Sequence, residues 1–281
     1  MDVQVGGCGG DAGARSRRRV AGRRADVVSA RGAAGLLAQR LREPRPLLGA
    51  LRLGYRGAEA DVFLVDGVLR LGHDRGRAVR GGTLESVYLA PLREFVGRCG
   101  ALTARGEPFL LTIELKERSR ATYDSFATLL GRYADILTVT DRDGTVHRGA
   151  IEVVLVGWHP PAEELARAPA RLAGLQYRIV SPDRPVPPDD SGLTRLLSVD
   201  YGKTMGHWWV GTARRRRWLA TLRAAKEAAP GRLLRVYDLP VDPTLYRDLR
   251  AAGVDLIGTK AVAASREPLA ALAERETSGA P

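Results

Sequence analysis

At 281 residues, 44% of them hydrophobic, the chain can bury an ample core. One large domain accounts for it better than two, since (β/α) barrels run to about 250 residues as one unit. Its two cysteines, Cys8 and Cys99, make no CxxC pair and no zinc spacing, which excludes a disulfide-rich scaffold and a zinc module. No apolar run approaches the roughly 20 residues of a transmembrane segment and no clean signal-peptide segment opens the chain, so the sequence as written is expected in the cytoplasm.

The formal charge is +12, and 40 of the 44 cationic residues are Arg. Residues 1–45 hold ten of them against Asp2, Asp11, Asp26 and Glu43, which is half of the excess. An Arg- and Gly-rich arm of this kind can grip phosphates without regard to sequence, so a basic nucleic-acid-binding protein is one reading of the chain. No aromatic residue interleaves the Arg to stack on a base. Residues 1–43 are therefore read as a disordered segment, no specific nucleic acid is expected, and residues 44–281 make up the folded domain.

Residues 46–53 read as a short helix with Pro46 at its start, where a missing N–H costs little. Residues 58–65 follow as a strand, which sends alternate side chains to opposite faces, so Glu59 and Asp61 project from one side. Two carboxylates in so small a volume repel each other and ask for a cation. Hard oxygen ligands suit Mg²⁺ or Ca²⁺. Asp66-Gly67 is a hairpin signal, and the returning strand, 68–72, brings His73 back toward the carboxylates. Residues 84–99 show helical spacing with Thr83 as N-cap. Residues 109–115 form an apolar run broken by Glu114, as expected of a buried parallel strand with a carboxylate near its C-terminal end. Lys116 either pairs with Glu114 or joins it in a site.

Residues 119–133 read as a helix, 136–140 and 151–156 as strands with Asp143-Gly144 turning between them, and 162–168 as a short helix. His147 falls in a polar hairpin and His159 beside Trp158 at a strand end; neither is given a catalytic role. Residues 182–190 are mostly Pro and Asp and read as an exposed loop. A strand at 196–199 leads into a Gly-punctuated stretch holding Tyr201, Lys203 and Trp209, which suits a recognition wall or simple aromatic packing. A helix at 212–229 opens on four consecutive Arg, a solvated face. A strand at 232–237, a helix at 242–252 capped by Asp242, a strand at 254–259 and a helix at 266–274 with Ser265 as N-cap complete the chain. Strand and helix in alternation argue for an α/β fold closed as a TIM-like (β/α)8 barrel, its first strand being the weak point.

Glu59-Ala60-Asp61, His73-Asp74, Thr83-Leu84-Glu85-Ser86 and Glu114-Leu115-Lys116, in that order, resemble the glycerophosphodiester phosphodiesterase and phosphatidylinositol phospholipase C-like superfamily. The branch is similar to altered inheritance of mitochondria protein six, and the resemblance runs from about Pro44 to about Leu269. It implies a metal-dependent phosphoric diester hydrolase of lipid metabolism, acting on a glycerophosphodiester- or phospholipid-like substrate. It further implies that Glu59, Asp61 and Glu114 hold one divalent cation, Mg²⁺ or Ca²⁺, that His73 and Lys116 are catalytic, and that Tyr201, Lys203 and Trp209 touch substrate.

One motif of the family is missing. Its first barrel strand ends in His-Asn-Asp-Tyr, just before a segment like Pro44-Arg45-Pro46-Leu47-Leu48, and that His is one of two catalytic imidazoles. This chain has Ala38-Gln39-Arg40-Leu41 there. One permitted coding of those residues, GCA CAA CGA CTA followed by the C of Arg42, reads CAC AAC GAC TAC one base later, which encodes His-Asn-Asp-Tyr. The expectation is that residues up to about Leu41 are translated out of frame and that Ala38 occupies the place of the missing His. Genuine divergence to a catalytically dead phosphate- and metal-binding relic is the alternative. A true start lost to the shift would leave secretion open.

Overall fold

The computed structural model describes residues 35–38, 46–103, 106–180, 186–189, 192–205 and 211–278. Eight parallel strands carry the architecture: Gly35–Ala38 (β1), Gly57–Val65 (β2), Phe109–Leu115 (β3), Ile151–Gly157 (β4), Gly174–Ile179 (β5), Thr194–Asp200 (β6), Leu233–Tyr237 (β7) and Leu256–Thr259 (β8). Each pairs with its neighbour in chain order, and β1 pairs in parallel with both β2 and β8. The ring therefore closes, as expected of a (β/α)8 barrel. Val68–Leu71 lies antiparallel to β2, turned back by Asp66 and Gly67, both at positive φ (49° and 75°), the backbone of a tight hairpin turn.

Strand alternation sorts the side chains into two cores. Ala58, Ala60 and Val62 of β2 and Leu111, Ile113 and Leu115 of β3 face outward, where they pack with Leu84, Tyr88, Leu92, Phe126 and Leu130. Leu197 and Val199 of β6 and Leu234 and Val236 of β7 do the same against Trp218, Leu222, Tyr246 and Leu249 on the other side. Inside the ring, Leu110, Val154, Leu196 and Leu256 form a small separate cluster. These four plug the barrel and leave the space beyond them, toward the strand C-termini, for polar side chains.

Several local expectations need correction. Residues 35–38, inside the segment expected to be disordered, form the first barrel strand; residues 1–34 and 39–45 lie outside the described residues. The fifth strand, Gly174–Ile179, was not anticipated, because its inward positions carry Gln176 and Arg178 and break the apolar pattern. Residues 136–140 do not form a barrel strand: Leu137 makes a single parallel bridge to Ile151 of β4, and Val139–Asp141 joins Val146–His147 and Ala170–Arg171 in a three-stranded side sheet. The helix expected over 84–99 opens as a wide π turn at Glu85–Leu89 before running as Ala90–Cys99. Ser265 is no cap: it sits inside the helix Val262–Ser278, fully buried, bonded to Thr259 Oγ1 at 2.8 Å and Tyr246 Oη at 3.2 Å. The loop expected at 182–190 is described only at 186–189.

Candidate active site

The register of β2 with β3 sets Asp61 beside Glu114 at one level and Glu59 beside Thr112 one layer deeper. All four project into the barrel, because the alternate positions are taken by the apolar residues of the outer core. Carboxylate oxygens of Glu59, Asp61 and Glu114 come within 4.8 Å of one another, the expected cluster of three. Lys116, two residues beyond Glu114, reaches back over it: its Nζ donates to Glu114 Oε2 at 2.7 Å and lies 3.4 Å from Asp61 Oδ2. Burial works to lower the Lys116 pKa, but its bonds to Glu114 and Asp61 outweigh that and raise it.

Asp61 is the stressed member. Burial raises its pKa from 3.8 to about 7; the Lys116 charge pulls it down, and the neighbouring Glu114 and Glu59 push it up again. Its Oδ1 is buried and has no hydrogen-bond partner among the described residues. A buried carboxylate oxygen without a donor, beside two further carboxylates, fits a hard divalent cation: the donor set is all oxygen, and an ion would satisfy the orphaned lone pairs.

His73 lies on the rim. The Gly72 N–H donates to the Asp61 carbonyl at 2.9 Å, tying this turn to the acidic strand, and the next residue, His73, is exposed. Asp74 has a structural duty, capping the helix Arg75–Arg80 by accepting from the Arg77 N–H at 2.9 Å. Thr83 and Ser86 likewise hold one another across a helix start, with Ser86 N–H donating to Thr83 Oγ1 at 2.9 Å. Position 38 ends β1 and pairs in the ladder with Glu59, so it adjoins the acidic cluster.

Of the expected substrate contacts, Tyr201 and Lys203 sit on the short helix Tyr201–Met205 after β6 rather than in a loop. Tyr201 packs edge-on against Trp218, with ring centroids 5.6 Å apart, and Lys203 is exposed at 3.6 Å from Asp200 Oδ2. Trp209 lies outside the described residues.

Residues 41–168 match the family model of the AIM6-like phosphodiesterase domain. Over that stretch the chain is similar to the AIM6-like phosphodiesterases. The match takes in Glu59, Asp61, His73, Glu114 and Lys116 and begins just past position 38. No curated protein matches the chain. Among solved structures it is similar to a glycerophosphodiester phosphodiesterase from Agrobacterium tumefaciens, at 15% identity over 83% of this chain and 98% of that one, TM-score 0.46. It is also similar to a phosphodiesterase from Oleispira antarctica in complex with the product sn-glycerol-3-phosphate, at 14% identity over 84% and 96% of the two chains, TM-score 0.47.

Three residues near the acidic cluster were missed from sequence. Arg235 of β7, almost fully buried, ion-pairs with Glu59, the two lying 176 residues apart in the chain. Tyr88 reaches from the π turn to donate its hydroxyl to the Glu59 carbonyl at 3.2 Å, and burial raises its pKa. Asp200 ends β6 level with Tyr237 of β7. For Arg235 the signal was present: a charge inside the apolar run Leu233-Leu234-Arg235-Val236-Tyr237 marks an inward position just as Glu114 does in β3.

Proposed function

We propose that the chain is a divalent-cation-dependent phosphoric diester hydrolase acting on a glycerophosphodiester- or phospholipid-like substrate. The observation that carries this reading is the convergence of Glu59, Asp61 and Glu114 inside the barrel, with one buried Asp61 oxygen left without a donor among the described residues. Those three residues would hold Mg²⁺ or Ca²⁺, which when bound polarises a non-bridging phosphate oxygen. Lys116, already bonded to Glu114, neutralises charge that builds on the phosphate. His73, on the rim beside the acidic strand, protonates the leaving alkoxide. Lys203 and Tyr201, on the short helix after β6, are proposed substrate contacts together with Trp209.

The partner of His73 in this acid–base pair is the residue at position 38, and Ala cannot take or give a proton. The chain as written is then an impaired enzyme. Because Ala38 is in register with Glu59, an imidazole there starts from the right strand and the right level. The same alanine favours the second reading, a catalytically dead relic that keeps its cation and phosphate site. Ala38→His separates the two. The repaired protein should hydrolyse bis(p-nitrophenyl) phosphate with Mg²⁺ roughly 10²–10⁴ times faster than the parent, the range that one acid–base group contributes. Divalent-ion binding with no gain in turnover would leave the relic standing.

A further inference from the structure

Arg235 is a buried cation with an unusual path. Its neighbours on β7, Leu234 and Val236, face the outer core, so Arg235 points into the barrel. The guanidinium lies 4.8 Å from the Tyr237 ring centroid and passes Gly258 of β8, where an added Cβ would come within 3.3 Å of Arg235 Nε and 2.7 Å of Tyr237 Cβ. Glycine at 258 thus leaves the arginine room to reach Glu59 on the far side of the β1–β8 seam. Arg235 Nε is buried without a partner among the described residues, and the whole side chain is only 3% exposed. A charge so enclosed cannot itself meet solvent or a substrate at the mouth. It acts through Glu59.

We infer that Arg235 is a positioning residue that serves as the built-in counter-cation of Glu59, so that a divalent ion entering the site competes with a guanidinium for that carboxylate. This rests on the reading of Glu59, Asp61 and Glu114 as cation ligands. When all three carboxylates are ionised, Lys116 and Arg235 leave one negative charge in the ion-free cluster, and a divalent ion turns that into one positive charge. Without Arg235, the same ion would bring the cluster to neutrality. The arginine lets an acidic site fold without its ion and, by the same charge, holds ion affinity down.

The test is Ca²⁺ titration by calorimetry of the full chain, the Arg235→Gln variant and the Arg235→Lys variant at one ionic strength. Glutamine removes the charge while keeping a donor for Glu59, and should tighten Ca²⁺ binding at least tenfold (about 1.4 kcal/mol). Lysine should stay within about threefold of the parent. In a Glu59→Gln background, Arg235→Gln should lose most of its effect. A folded Arg235→Gln protein with unchanged or weaker Ca²⁺ binding overturns the inference. If Arg235→Gln does not fold, Arg235→Met is measured in its place by the same criterion. Absence of Ca²⁺ binding in the parent and in both variants overturns the reading of the carboxylates as well, and so is distinguishable from failure of the arginine's role alone.

Discussion

Lowering the pH should weaken the binding of a divalent cation to the acidic cluster well before the fold gives way. Burial raises the Asp61 pKa to about 7, so below neutrality a cation must displace a proton to reach this carboxylate. One displaced proton costs tenfold in affinity for each pH unit below that pKa, which makes Ca²⁺ binding roughly 100-fold weaker at pH 5 than at pH 8. The ion-free protein follows the opposite course. A carboxyl whose folded pKa lies above its unfolded value near 3.8 stabilises the fold below that value, and the contribution is lost as pH rises through about 7. The shift bounds the loss at about 4 kcal/mol, an order-of-magnitude figure because Glu114 and Lys116 share in the titration. The assay is Ca²⁺ calorimetry at pH 5, 6, 7 and 8, paired with urea denaturation of the ion-free protein. Asp61→Asn should weaken binding and flatten its pH dependence. Affinity that stays constant from pH 5 to pH 8 in the parent would show that Asp61 takes no part in holding the ion, or that it ionises as an ordinary carboxyl.

His73, exposed on the rim, should matter to turnover and not to binding: in the Ala38→His background, His73→Gln should cut hydrolysis by roughly 10²–10⁴ while the calorimetric Ca²⁺ affinity stays put. A loss of affinity comparable to the loss of rate would place the imidazole among the ligands instead. Away from the site, Ser265→Ala leaves the hydroxyls of Thr259 and Tyr246 short of a shared buried partner and should cost about 1–3 kcal/mol in denaturant titration, with ion binding unaffected.

The acidic half of the site was legible because β2 and β3 follow the simplest rule of a barrel wall. Their outward positions are uniformly apolar, so Glu59, Asp61 and Glu114 stand out as the inward exceptions. The Asp242 cap was legible for an equally local reason, its carboxylate accepting from Thr244 N–H at 2.8 Å and Leu245 N–H at 3.1 Å. Strand β5 was not legible, since Gln176 and Arg178 share their face with Leu196 and Ser198 of β6, and only the assembled ring explains polar residues there. Arg235 could be flagged as odd but not assigned, because its partner comes from a strand 176 residues away. Ser265 looked like a cap since a serine before an apolar run usually is one; the buried hydroxyls of Thr259 and Tyr246 gave it other work.

The ring closes through a short stave. β1 contributes only four residues, yet it alone joins the long β2 to β8. A product begun downstream of it, or a stretch there that will not extend, leaves β2 and β8 as open edges with unanswered N–H and C=O groups, and such edges recruit strands from other copies. Damage at this one stave would thus appear first as self-association of the protein, before any assay of the chemistry could register it.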